Sequence, residues 1–467
     1  MTKIKTTKIQ GRKLICALKI FALGGAFLFT TLGTAIAATI EPNISTQQIA
    51  MYQQAPEGER VHFLIQMAKA GEHEQVAILL KKFPLQGPHA ANRTLFIEGL
   101  IKNGRGDFTG AVKNYRAVLA DDPKLTLVRS ELAITLVKLD QDDSAKHHLE
   151  LLAADAPTEA DAVGIKSFIE KIDAKRPITF NGYISLAPSS NINSGSNHAT
   201  VYSPWNQGDW SIGSDQQKQS GIGVAAGANI GYSKRLGNKL QAVLAGNVDG
   251  RVYGNSDYNS LSFSQSAEMR YLLDQGYLGV GPVANQSIDI AEGAIAYHSY
   301  GPRASLVYNL TPKNFVSAST LYEWRDTANS TQADGTASLS ILSLSHAFDT
   351  SFNATVFGGF DRIKSQLDTT SYKTISGGLR LYKELPMGIT ANLSGQGRFS
   401  NFDGMTMITL TTRADQRYIG SVELTKRDLN WFGFAPSLSY TYTMNKSNIA
   451  IYDYDSHAVD FRLTKNF

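Results

Sequence analysis

The sequence predicts a two-domain chain of the α plus β class, in which α-helical repeats precede a 14-stranded antiparallel transmembrane β-barrel. Across residues 38–176, apolar side chains recur at helical spacing, as in Leu125, Leu132 and Leu136. Across residues 177–467, they recur at every second position, the pattern of strands that bury one face. No stretch beyond residue 40 approaches the ~18 apolar residues of a membrane helix, so strands would cross any membrane.

Residues 1–37 have the features of a secretory signal peptide. Lysines and arginines precede an apolar run, Leu14–Leu32, and the small-x-small cleavage site Ala35-Ile36-Ala37. An uncleaved anchor is the alternative, because the apolar run is long. The one cysteine, Cys16, lies in this segment, so the processed chain would hold no disulfide or thiolate metal site. Processing removes six basic residues and lowers the formal net charge from +4 to −2, which does not favour a nucleic-acid partner.

The helical domain, residues 38–176, repeats with a period of about 34 residues, which is the period of tetratricopeptide repeats. Small residues that allow two helices to approach closely coincide at this shift, as do bulky residues between repeats and prolines that end the second helix. The matched positions are Gly99 with Ala133, Ala111 with Ala145, Tyr115 with Leu149, and Pro123 with Pro157. Residues 158–174 would form a capping helix after the repeats. A plain helical bundle is the alternative to stacked repeats.

The predicted repeats favour binding over chemistry, because stacked helices present a concave surface to a peptide or protein. Histidines are scattered through this domain, and the adjacent pair His147 and His148 would point to different faces of one helix. We interpret them as surface residues rather than metal ligands.

Fourteen candidate strands follow residue 177, an even number, as in bacterial single-chain barrels. They are residues 178–187, 220–234, 239–253, 258–272, 276–289, 295–309, 314–326, 336–347, 351–362, 372–384, 387–400, 413–427, 431–444 and 455–467. Short turns alternate with mostly longer polar loops, of which 189–219 is the longest. The alternation of short turns and long loops places the helical domain on the same side of the barrel as the short turns. Because short turns face the periplasm in outer-membrane barrels, we expect the helical domain in the periplasm.

The alternation also predicts which strand residues face lipid and which face the lumen. Arg380, Arg417, Glu423 and Arg462 oppose the apolar rows of their strands, so we expect them in the lumen. A soluble barrel or sandwich would show the same alternation and is the alternative.

The sequence lacks the motifs of common enzymes, with no HExxH, GxSxG or phosphate loop. Charged pairs on single strands, namely Glu268 with Arg270, Glu323 with Arg325, and Asp361 with Arg362, have no nucleophile beside them. We therefore expect ion pairs in the lumen, no catalysis, and no cofactor or metal.

Motifs in the barrel carry a resemblance to a known family. The start of the barrel has Asn191 and Asn193 in the run 187–193, and the C-terminal part has Arg413, Asp415 and Arg417 before 433–436 and a closing strand that ends on Phe467. With the two repeats, these residues resemble the surface lipoprotein assembly modulators, a single-component outer-membrane secretion system with a tetratricopeptide domain and a fourteen-stranded barrel.

The resemblance implies an outer-membrane translocator of client proteins, either surface lipoproteins or secreted haem- and iron-acquisition proteins. The periplasmic helices would bind the client or its chaperone, and the barrel would mediate its passage. Further expected partners are membrane lipids and the barrel-assembly machinery, which would recognise the C-terminal strand. A polysaccharide-export porin or a passive solute porin with a helical adaptor is the alternative function.

Overall fold

The computed structural model describes residues 45–175, 177–290, 294–328, 331–427, 429 and 434–464. The predicted signal peptide and Phe467 lie outside the described residues. Within them, no helix is both long and apolar enough to span a membrane.

Helices form the N-terminal part, and eight lie in the described residues. They are α1 (Thr46–Gln54), α2 (Glu57–Ala70), α3 (His73–Lys82), α4 (Ala90–Gly104), α5 (Phe108–Asp121), α6 (Thr126–Lys138), α7 (Asp142–Ala154) and α8 (Glu159–Lys175). The Asp107 side chain caps α5 by accepting a hydrogen bond from the backbone N–H of Gly110 at 2.9 Å. The pairs α4–α5 and α6–α7 are the two repeats predicted from the period.

The last helix closes the repeat stack. Ile172 of α8 packs on Ala133 of α6 and Leu149 of α7, and all three side chains are buried. Removing this apolar surface from water stabilises the stack. The helix predicted to cap the repeats, residues 158–174, is therefore present as α8.

The C-terminal part is a closed antiparallel barrel of fourteen strands, as predicted. Its strands are β1 (Ile178–Ser189), β4 (Gly221–Arg235), β5 (Leu240–Tyr253), β6 (Ser260–Leu273), β7 (Gly276–Asp289), β8 (Ala294–Thr311), β9 (Asn314–Thr327), β10 (Gly335–Asp349), β11 (Phe352–Ser365), β12 (Tyr372–Leu385), β13 (Ile389–Met405), β14 (Thr412–Lys426), β15 (Ala435–Ser447) and β16 (Tyr454–Thr464). Each pairs with its neighbours in chain order. β1 pairs with β16 to close the ring, in a register that joins Tyr183 to Thr464.

The long loop between β1 and β4 holds a hairpin that periodicity did not predict. Its strands are β2 (Thr200–Ser203) and β3 (Gly208–Ser211). Each strand has four residues, the shortest run in which a period-two pattern can be recognised. The hairpin packs through Val201 against Ile212 and Ile449, so contacts with a distant loop hold it in place.

The barrel wall is apolar outside and polar inside. On β4, Ile222, Val224 and Ile230 point outward and are 68%, 49% and 56% exposed, whereas Ala225 on the other face is 1% exposed. Each strand of an outer-membrane barrel alternates in this way, because one face meets lipid and the other meets the lumen.

Candidate functional site at the barrel mouth

The repeat residues singled out from the sequence lie at helix contacts. Gly99 faces the ring of Tyr115, and a Cβ at position 99 would overlap that ring. Six of these positions are buried inside the domain; they are Gly99, Ala111, Tyr115, Ala133, Ala145 and Leu149. Pro123 follows α5 and is buried, and Pro157 follows α7 and is exposed.

The four predicted lumen charges lie on the inward face, and three of them are beside aromatic rings. Arg380 lies 4.6 Å from the ring centroid of Phe357, and Arg462 lies 4.4 Å from that of Tyr183. The other two, Arg417 and Glu423, lie on β14. Arg417 donates from Nε to Asn445 Oδ1 at 3.3 Å and is 5.7 Å from the ring centroid of Tyr454, and Glu423 lines a cavity that is described below. The lumen is therefore polar and rich in cation–π contacts.

The expected ion pairs on single strands are present, with one difference. Arg270 Nε contacts Glu268 Oε2 at 2.6 Å, and Arg325 Nε contacts Glu323 Oε1 at 3.5 Å. Asp361 pairs with Arg398 on β13. Its sequence neighbour Arg362 pairs elsewhere, with Asp403, because adjacent strand residues point to opposite faces.

The motif residues of the loops fasten the long-loop end of the barrel. Buried Asn191 donates to the carbonyls of Gly195 at 2.9 Å and Asp455 at 3.0 Å. Asn193 donates to the Asp215 and Gln217 carbonyls. Arg413 forms a two-pronged pair with Asp415 and lies 3.4 Å from the ring centroid of Tyr452 and 4.5 Å from that of Phe402. These residues hold loops together rather than presenting free charge.

The opposite end of the barrel, where the turns are short, is covered by the helical domain. Side chains of this domain reach residues in or directly beside five of the six short turns between described strands. The contacts are Glu170 with Arg235 (2.7 Å), Glu159 with Gln275 (2.7 Å), Asp155 with Lys313 (2.9 Å), Lys124 with Asp349 (3.0 Å) and Arg129 with Glu384 (2.6 Å). The sixth turn, after β14, joins the last contact through Arg427.

The contact between Arg129 and Glu384 is the centre of a buried ionic cluster, and both side chains are 0% exposed. Arg427 Nη1 approaches the second carboxylate oxygen of Glu384 at 2.5 Å, and the Tyr382 hydroxyl donates to the same oxygen at 3.0 Å. Arg129 also donates to the carbonyl of Pro123. One carboxylate thus receives two guanidinium groups, one from each domain, and a phenol.

Two histidines of α7 complete the cluster, and the burial of His148 corrects the prediction that it lies at the surface. His148 is buried, and its Nδ1 lies 3.1 Å from Arg129 Nη1. Burial, reinforced by the nearby Arg129 cation, lowers the pKa of His148 well below its ordinary value, so the ring is neutral and accepts from Arg129. His147 Nε2 lies 3.1 Å from the Tyr382 hydroxyl. His148 is buried beside the barrel residues Glu384 and Arg427, whereas the His147 side chain remains 27% exposed. The spacing of residues along α7 does not reveal these barrel neighbours.

The cluster residues were not predicted as functional, although one of them left a signal. Arg129 lies four residues after Leu125 and three before Leu132, so it shares the apolar face of α6. A charged residue on a buried face needs a partner there. The sequence does not show that the partner, Glu384, lies 255 residues away.

Helix α7 faces the lumen across a polar cavity of about 400 Å³. Its helical lining is Asp143, Lys146, His147 and Glu150, and its barrel lining includes Thr179, Asn181, Asn392 and Glu423 from β1, β13 and β14. Because both domains line it, the cavity lies between the lumen and a helix that covers the mouth of the barrel.

Among the described residues, no group of three or more histidine, cysteine, aspartate or glutamate side chains is placed to hold a metal ion.

These features define a class, an outer-membrane β-barrel with a tetratricopeptide-like domain docked at its short-turn mouth. The family model described as "Surface lipoprotein assembly modifier" matches residues 179–467, and one described as "Tetratricopeptide repeat" matches residues 103–167. The chain therefore belongs to the surface lipoprotein assembly modifier family.

Relatives are similar over most of the chain. The "Hemophilin secretion modulator" of Acinetobacter baumannii is 22% identical over 403 residues, which cover 80% of this chain and 79% of the relative. "Surface lipoprotein assembly modifier 1" of Neisseria meningitidis serogroup B is 22% identical over 410 residues, which cover 84% and 79%. Among solved structures, that of the outer membrane channel DcaP of Acinetobacter baumannii matches over 62% of this chain and 96% of the DcaP chain. The sequence identity is 9% and the TM-score is 0.36, so this match is too distant to inform function.

Proposed function

We propose that this protein delivers client proteins to the bacterial cell surface, with the helical domain in the periplasm. Membership of the surface lipoprotein assembly modifier family carries the proposal. Two relatives carry the words "surface lipoprotein assembly" and "hemophilin secretion" in their names, so the client class is a surface lipoprotein or a secreted haem-binding protein.

The arrangement of the two domains supports this proposal over a simple pore. A solute porin needs no second domain at its mouth, whereas a protein conduit needs a surface that selects its client before passage. Stacked helical repeats supply such a surface. The lumen supplies a polar wall, whose ion pairs and ring-stacked arginines are compatible with the backbone and side chains of a passing chain.

The proposed mechanism has no catalytic step and uses no cofactor. The helical domain binds the client or its periplasmic chaperone and presents it to the barrel. The client then passes to the surface and folds or is captured there, which makes its return unfavourable. The barrel itself would enter the membrane through the barrel-assembly machinery.

Client exposure on intact cells tests the function. A candidate client is expressed with this protein, with an unrelated porin, or alone, and surface protease treatment measures the accessible fraction. We expect accessible client only with this protein. Client that stays in the periplasm in every pairing, together with faster uptake of small solutes or export of polysaccharide, would replace the proposal with a porin function.

A further inference from the structure

The short-turn mouth has a cover that the strands of the barrel do not provide. Residues in or directly beside five short turns contact helical-domain side chains, around the ring from the β4–β5 turn to the β12–β13 turn. Between these contacts, α7 lies over the lumen, where it lines the cavity that the barrel wall encloses from the other side. A chain entering the lumen from this end would meet α7.

The bonds that hold this cover differ in burial. Four of the five contacts are partly exposed; for example, the side chains of Arg235 and Glu170 are 44% and 53% exposed. Such pairs stabilise little, because water screens them. The fifth, Arg129 with Glu384, is fully buried. It fixes the position of the domain, because leaving either charge buried without the other is strongly unfavourable.

An interface built from charges can also separate. Burying Arg129 and Glu384 costs hydration free energy that offsets much of their attraction, and moving the domain away returns that hydration to both. An apolar interface would recover no such hydration free energy on opening, because its exposed surface is unfavourable in water. The cluster therefore strongly favours one docked position of the helical domain. The net free energy needed to undock the domain nevertheless remains moderate.

From these contacts we propose that the helical domain is a releasable lid on the short-turn mouth. The cluster of Arg129, Glu384 and Arg427 holds it closed, and client passage requires the domain to move off the mouth. The part about the client rests on the proposed function, whereas the lid itself controls any flow through the lumen.

A reversible tether across the interface tests the lid. The backbone N–H of Met387, in the β12–β13 turn, donates to the carbonyl of Ala120 in α5, so the two backbones touch. The only cysteine, Cys16, lies in the predicted signal peptide, so the pair Ala120→Cys with Met387→Cys would form the one disulfide of the processed chain. A mobility shift that reductant reverses reports its formation.

Delivery gives the first readout. With the disulfide formed, we expect surface exposure of client to fall at least about tenfold, and reductant to restore it. The matched control is Ser394→Cys with Ser421→Cys, which joins two strands that are already paired and whose hydroxyl oxygens are 2.7 Å apart; we expect no loss there. Full delivery by a completely tethered protein would overturn the lid.

Conductance in planar bilayers gives a second readout that needs no client. We expect the oxidised tether variant to stay closed, and its reduced form to open like the unmodified protein. Glu384→Gln should open more often, because one buried carboxylate charge is lost between Arg129 and Arg427, whereas the exposed-pair variant Arg105→Gln should not. Equal conductance of tethered and reduced protein would reject the lid even if client delivery were confirmed; gating by the tether without any client delivery would support the lid and reject the proposed function.

Discussion

The two mouths of this barrel are held by different kinds of contact. At the short-turn mouth, a separate domain is docked through a few side-chain pairs and one buried ionic cluster. At the long-loop mouth, loops of the barrel itself are joined by side-chain bonds to backbone, such as those of Asn191 and of Ser196, whose hydroxyl donates to the Ala450 carbonyl at 2.7 Å. The first set of contacts would break if the helical domain moved away, whereas the second would break only if the loops themselves rearranged.

Replacing Arg129 should produce the largest effect at the short-turn mouth. Arg129→Met preserves much of the volume but removes the cation, and Glu384 then keeps only Arg427 as a charged partner. We expect the docked helical domain to lose about 3 kcal/mol, the order measured when one partner of a buried pair is removed. Thermal unfolding followed by helical circular dichroism measures this loss.

The matched control lies on the surface of the same domain. Arg105 pairs with Glu74 at 2.7 Å, but the side chains are 46% and 60% exposed. Arg105→Met should leave the melting temperature nearly unchanged, because exposed pairs stabilise little. If the two variants melted alike, the buried cluster would not be the main bond between the domains.

A substitution at the other mouth should act locally. Asn191→Ala removes the side chain that bonds the Gly195 and Asp455 carbonyls and accepts from the Gly195 N–H. We expect a local loss of about 1–3 kcal/mol, because buried backbone groups lose partners. Protease cleavage in the loop 190–219 should rise while helical melting stays constant. Lowered helical melting would show that the two mouths are coupled.

The internal packing of the helical domain can be changed separately from its docking. Gly99→Ala would bring a methyl group against the Tyr115 ring, and overpacking of this kind costs about 1–3 kcal/mol. Gly164→Ala in α8 meets nothing within 4 Å, so it should stabilise the domain by up to about 1 kcal/mol through helix propensity. Urea unfolding should give a lower free energy of unfolding for Gly99→Ala and a higher one for Gly164→Ala.

The smallest expected effect is a pH dependence from His148. Burial holds the pKa of His148 well below its ordinary value in the folded state, so the unfolded chain binds this proton first as pH falls. Stability from this residue is complete above pH about 6.5 and decreases below it, by at most about 1.4 kcal/mol per pH unit. Melting curves should be recorded between pH 7.5 and 5.5, roughly one unit to each side of the ordinary histidine pKa of about 6.5. The melting temperature should fall as the pH falls, and His148→Gln should reduce this slope.

Periodicity was sufficient for the regular elements, because each depends on neighbours in sequence. All fourteen barrel strands and the capping helix α8 follow from spacing of two or of three to four residues. The repeat period also marked Gly99 and Tyr115 as packing positions, but only the structure shows that these two residues contact each other. The hairpin of β2 and β3 did not follow, because its strands are short and its support comes from Ile449.

By itself, the sequence determined the inside and outside of the barrel, the stacked helices and the order of the two domains. Alternation and helical spacing encode those features locally, one residue against the next. Only the tertiary structure decided that the helical domain covers the short-turn mouth, and that Arg129, Glu384 and Arg427 meet in one buried cluster. Arg129 and Glu384 are 255 residues apart in the sequence, so no periodic pattern links them. Only folding brings their charges together.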